Sequence, residues 1–165
     1  MPQTFAQIAT TTLSSATTTI NFSSIPQTYT DLKIIGNWFS TGGALQWRYN
    51  GTTTALYTQQ TATSSGTTTT SAVVTTAANY ITLNGTNSSN WYSINMDLLG
   101  YRDNNYRKYA LYHWNGENTG SAGRNQRGAG VIANATAISS IEFTLSTGGN
   151  FDIGTTFSIF GILAA

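Results

Sequence analysis

The stretch Trp91-Tyr-Ser-Ile-Asn-Met-Asp-Leu-Leu-Gly-Tyr101 decides the fold of this chain. Its Ile94, Met96 and Leu98 fall on one side of an extended backbone, and Asn95 and Asp97 fall on the other. That alternation belongs to a strand with one dry and one wet face. Ile141, Phe143 and Leu145 repeat it against Glu142 and Thr144. In Tyr106 to Trp114 both faces are bulky: Tyr109, Leu111 and His113 oppose Ala110, Tyr112 and Trp114, which predicts cover by a sheet within and by a neighbour without. Helical periodicity is nearly absent from the chain, whereas period-two runs with β-branched and aromatic residues recur throughout. Strands are predicted over Thr17 to Ser23, Asp31 to Phe39, Ala44 to Tyr49, Tyr80 to Leu83, Trp91 to Tyr101, Tyr106 to Trp114, Ala129 to Asn134, Ile138 to Thr144 and Thr156 to Leu163. The expectation is an all-β chain, a jelly-roll-like β-sandwich of two antiparallel sheets with long polar loops.

Punctuation between these runs is supplied by Asn50-Gly51, Asn84-Gly85 and Asn115-Gly116, whose residue types favour the positive φ of tight turns. Gly42-Gly43, Gly128 and Gly148-Gly149 are read as further breaks. Residues 51–78 are dominated by Thr and are expected as a long polar loop or a protruding hairpin of polar strands. Residues 1–15 are similarly polar and are expected as an N-terminal arm. No fixed-period repeat or linker divides the chain, so residues 1–165 are read as a single sandwich domain.

The 165 residues suffice for an ordinary two-layer core without staples. With no cysteine there is neither a disulfide framework nor a thiolate metal site. Charged residues make up 8% of the chain, against about 25% in soluble domains, while the 39% hydrophobic content excludes disorder. The protein is therefore folded beneath an uncharged polar skin, with little charge repulsion between copies. The opening Met-Pro-Gln-Thr-Phe has no signal-peptide pattern, and no window approaches about 18 apolar residues. Synthesis in a cytoplasm without membrane insertion is expected.

Chemistry-bearing constellations are sparse, and no catalytic, cofactor or metal residues are assigned. His113 is the only histidine, lies in an apolar run and is read as a hydrogen-bonded structural residue at a strand end. Asp97 and Glu142 are the least unfavourable acid pair for hydrolysis. Five of the 7 basic residues, Arg102, Arg107, Lys108, Arg124 and Arg127, fall between positions 102 and 127. They suit either docking to an acidic partner surface, with Arg124 and Arg127 in a flexible loop over Gly120 to Gly130, or a solvated face paired with Asp103 and Glu117. Such scattered charge in a chain of net charge +1 does not make a nucleic-acid stripe. Of Trp38, Trp47, Trp91 and Trp114, Trp91 is the one expected to be exposed, beside the loop over Asn84 to Asn90.

Two further segments carry a family resemblance. Phe22-Ser-Ser-Ile-Pro-Gln-Thr-Tyr-Thr-Asp-Leu32 and Phe151-Asp-Ile-Gly-Thr-Thr-Phe-Ser-Ile-Phe-Gly-Ile-Leu163 lie near opposite ends of the chain. They resemble the paired "F-S-S-I-P-x-x-Y-T-D-L" and "F-x-x-G-S-T-F-x-L-Y-G-I" runs of small tailed-phage virion proteins. The first is kept in full; in the second, Phe160 stands where a tyrosine usually precedes the glycine. The resemblance implies a jelly-roll-like sandwich that assembles as a homotrimer or joins an array. It places the protein in the virion, on the capsid exterior or tail, and outside enzyme chemistry. With no attachment segment or repetitive shaft, a capsid decoration or cement protein binding the major capsid protein is expected. A tail or tail-fibre module adhering to a host surface glycan through exposed aromatics is the alternative.

Overall fold

A computed structural model describes residues 5–54, 56–65, 68–83, 90–117 and 123–163, and no helix occurs among them. Twelve strands follow in chain order: β1 (Phe5–Thr12), β2 (Thr19–Phe22), β3 (Asp31–Ser40), β4 (Leu45–Tyr49), β5 (Tyr57–Ser65), β6 (Thr68–Ala78), β7 (Ile81–Leu83), β8 (Asn90–Leu99), β9 (Lys108–Glu117), β10 (Gly123–Ile132), β11 (Ile141–Leu145) and β12 (Thr156–Ile162). They form an eight-stranded sheet, β1-β12-β3-β8-β9-β10-β5-β6, and a four-stranded sheet, β2-β11-β4-β7. All pairings are antiparallel. The protein is an all-β sandwich.

Alternation makes the two inner faces. Tyr92, Ile94, Met96 and Leu98 of β8 are buried, as are Leu32, Ile34 and Trp38 of β3, and Ile141, Phe143 and Leu145 of β11. The sheets meet through aromatic rings: Phe143 of the small sheet stacks on Phe157 of the large one at 4.5 Å, and Trp47 and Tyr49 meet Tyr57 edge-on at 6.3 and 5.8 Å. Beyond β7 the small sheet ends against a side chain. The Gln59 amide accepts from Thr82 N–H at 2.8 Å and donates to Thr82 C=O at 3.1 Å, as a neighbouring strand would.

Several sequence expectations are corrected. Asn50-Gly51 does turn, with φ of 49° and 61°, but it passes the chain from one sheet to the other instead of closing a hairpin. Asn115-Gly116 and Gly128 are strand residues of β9 and β10, where the missing side chains make room for the rings of Tyr92 and Tyr112. Of the two expectations for the Thr-rich segment, the pair of polar strands is the one found, for β5 and β6 pair there at the edge of the large sheet. Residues 5–12 of the expected arm pair with β12 as an edge strand. Asn84-Gly85, and residues 1–4 of the arm, lie outside the described residues.

The two segments that carry the resemblance lie side by side. Thr30 N–H donates to Ile162 C=O at 2.8 Å, and Leu32 pairs with Gly161. The Tyr29 ring lies so close over Gly161 that a Cβ there would come within 2.2 Å of it. Tyr101 Oη donates to Pro26 C=O, and Asp31 Oδ1 accepts from Gly100 N–H at 2.6 Å, which ties the turn after β8 to the same unit.

Two predictions follow from this packing. Gly161→Ala should cost about 1–3 kcal/mol of unfolding free energy in urea melts by overpacking against Tyr29, and Tyr29→Ala should relieve part of that cost in the double variant; strict additivity would refute the contact. Burial holds the phenols of Tyr57, Tyr112, Tyr49, Tyr92 and Tyr101 above their ordinary value of 10.0. Their contribution is complete below the unfolded value and is lost as pH rises through the folded ones. The melting temperature should accordingly stay level to about pH 9 and fall steeply above about pH 10; a flat profile through that range would contradict the burial of these rings.

Candidate functional site

The small sheet covers the inner face of the large one, and the opposite face of the large sheet is open. Its side chains come from the odd-numbered positions of β3, β8, β9 and β10, which the sandwich core leaves pointing outward. Leu99 faces Tyr109, and Tyr109 faces Val131; Asp97 faces Leu111, and Leu111 faces Ala129. Tyr109 is 50% exposed and Leu111 47%, so in the single chain the outer side of β9, where the sequence predicts a neighbour, faces solvent. Ile35 and Leu99 are also exposed. Toward the β1 edge Phe5 stacks on Phe160 at 4.8 Å. Amid these apolar residues Lys33 Nζ meets Asp97 Oδ1 across the β3–β8 pair at 2.8 Å, and the exposed Arg127 of β10 lines the same depression.

One end of this face carries a different chemistry. Asn37, Ser93, Asn115 and Asn125 lie in a row across β3, β8, β9 and β10, and Asn125 Nδ2 donates to Asn115 Oδ1 at 2.9 Å. Trp91, two residues before Ser93 on the same face, lies where a Cβ added to Gly154 would meet its ring at 3.4 Å, and it meets the Phe39 ring edge-on at 5.6 Å. A groove of about 520 Å³ opens there, lined by Asn37, Trp91, Tyr92, Ser93, Asn115 and Gly116. Trp91 is 51% exposed, while Trp38, Trp47 and Trp114 are fully buried.

The basic cluster of the sequence does not exist in space. Lys108 points into the molecule with no exposed surface, and its ammonium donates to the carbonyls of Asp103, Tyr106 at 2.7 Å and Ala135 at 3.0 Å. It is a structural tie between two loops and is unavailable to a partner. Burial lowers its pKa, and the Asp103 carboxylate offsets part of that. Arg124 and Arg127 belong to β10 instead of a flexible loop, on opposite faces of the strand. Ile132 is the β10 partner of Lys108, so Arg127 lies about 17 Å and Arg124 about 27 Å along the strand from the end where Arg102 and Arg107 are exposed. Asp103 does not pair with these arginines through Oδ1, which accepts from Asn105 and Tyr106 N–H and caps its own turn. The Glu117 side chain and Gly120 lie outside the described residues.

The remaining candidates also separate. Asp97 sits on the outer face of the large sheet, whereas Glu142 pairs with Arg48 at 2.7 Å on the outer face of the small one. The sandwich stands between the two carboxylates, and they share no cleft. His113 lies mid-strand in β9, not at a strand end, and its Nε2 is enclosed without a hydrogen-bond partner. Among the described residues no three His, Asp or Glu side chains group as metal ligands. Searches against protein-family models, curated proteins and solved structures find no match to this chain.

The Lys108 tie is testable. Lys108→Met retains the side-chain volume but removes the donor to three part-buried carbonyls, and it should lower stability by about 1–3 kcal/mol. It should also speed hydrogen exchange around residues 103–108 and 133–137. Unchanged melting and exchange would show that the ammonium contributes nothing.

Proposed function

We propose that the protein is a structural component of a tailed-phage particle, built to pack against copies of itself and against a shell protein. The observation that carries this reading is the open outer face of the large sheet. It presents Ile35, Leu99, Tyr109 and Leu111 to solvent around an internally neutralised ion pair. Exposed apolar side chains gathered on one face of a sheet suit an association surface. The low charge of the chain removes the repulsion that would oppose close packing of identical molecules.

Strand order supports the jelly-roll-like part of the reading. With the pairs β5–β6 and β9–β10 set aside, the sheets read β1-β12-β3-β8 and β2-β11-β4-β7. That is the order made by winding a four-pair antiparallel ribbon around two facing sheets, the architecture common in capsid domains. The two extra pairs widen one sheet and with it the outer face. The segments over Phe22 to Leu32 and Phe151 to Leu163, on which the resemblance to small virion proteins rests, form one packed unit in this fold.

In this role the protein is a homotrimeric decoration of the capsid exterior. It would stabilise the shell by binding the assembled lattice in preference to free subunits, with three linked faces raising avidity. No catalysis is assigned to it. A tail or fibre module adhering to a host glycan is the second reading, favoured by the groove beside Trp91.

Quantitative mass spectrometry of purified virions tests the assignment. A copy number comparable to that of the major shell protein is expected; a small fraction would move the protein to the tail, and absence would refute the virion role. Because apolar contacts are weakly screened, the trimer should persist in molar salt during sedimentation. Dissociation on raising the salt would contradict assembly through the apolar face.

A further inference from the structure

We propose that the groove beside Trp91 binds a neutral polyhydroxylated ligand, a chain of uncharged sugar residues. Two features with different chemistry meet there. Trp91 offers a half-exposed indole that meets the Phe39 ring edge-on and leaves room beside Gly154 for little more than a Cβ. Beside it, Asn37, Ser93 and Asn115 form a row of uncharged donors and acceptors on adjacent strands, about 4.8 Å apart. The bond from Asn125 occupies the Asn115 carbonyl and leaves its Nδ2 to donate. The side chains that shape the site belong to paired strands, so the platform is formed before a ligand arrives.

This combination discriminates among ligand classes. A purely apolar segment would cover the indole but leave the amide row desolvated without partners, at a cost of about 1–3 kcal/mol for each group. A nucleic acid would stack on the ring, yet among the described residues no charged side chain lines the groove to meet its phosphates. The same lack disfavours acidic polysaccharides. A neutral pyranose satisfies both features, with its C–H face on the indole and its hydroxyls on Asn37, Ser93 and Asn115. The inference stands on the groove itself and holds for a protein on the capsid or on the tail.

The burial of the other three tryptophans makes the site its own reporter, since acrylamide quenching of the intact protein reads Trp91 almost alone. The probes are maltohexaose, cellohexaose, chitohexaose, dextran and yeast mannan, with polysialic acid as the charged control. At least one neutral glycan is expected to shield Trp91 from acrylamide, and polysialic acid is not. Asn115→Ala and Asn37→Ala should each weaken that glycan about tenfold, a loss of one hydrogen bond, with unchanged thermal unfolding. Trp91→Ala should abolish binding by calorimetry. Absence of shielding by every neutral glycan at millimolar concentration would overturn the proposal. Shielding that grows with protein concentration and ignores glycan would also overturn it and give the groove to a second copy of the chain. Failure of glycan binding alongside shell-level copy number in virions would leave the assembly role intact.

Discussion

The fold depends on the stacking of Phe157 against Phe143, where the large sheet touches the small one. Phe157 also packs on Trp38 and Phe151 at 6.1 Å each, so one ring from the last strand joins β3, β11 and the loop before β12. Around this contact the inner faces close into a single apolar cluster running from Ile20 to Ile159. Neither sheet is stable with that face in water, and each supplies the other's cover. Everything outward follows from the parity this contact imposes. Once Phe157, Trp38 and Tyr92 point inward, Phe39, Trp91 and Ser93 must point outward.

Parity also explains what could be read from the sequence. Trp91 is out of phase with Tyr92, Ile94, Met96 and Leu98, so its exposure is written in the period of β8. Residues 93–98 of β8 and the whole of β11 alternate apolar and polar types and were legible for that reason. β10 was legible only over its last residues, because its glycines look like breaks. Gly128 and Gly130 are there because Tyr112 and Ile81 press against the backbone, a long-range requirement that no local pattern encodes. β5 and β6 are rich in Thr, which is at home both in loops and in strands, so composition alone left two answers open.

The candidate site divides along the same line. The exposed indole was legible; the amide row beside it was not, since Asn37, Ser93 and Asn115 are far apart in sequence and are aligned only by register. The basic residues show the opposite failure. Proximity in sequence suggested a patch, but a turn and a strand spread them over opposite ends and faces. Lys108 occupies an inward strand position that pattern reading assigns to an apolar side chain, and its charge is accommodated by three carbonyls from loops that only the fold brings together.

The place of β12 between β1 and β3 has a consequence for the timing of folding. A ribosome releases residues 5–40 long before residues 156–162, yet β1 has no hydrogen-bonded partner until the latter arrive. The nascent chain must keep β1 and one edge of β3 unsatisfied through nearly all of its synthesis, and closure is a late, high-contact-order event. A chain interrupted upstream of Thr156 lacks both the closing strand and the ring that joins the sheets. Only chains that have been translated through β12 can present the finished outer face, so the topology itself acts as quality control on which molecules complete the sandwich.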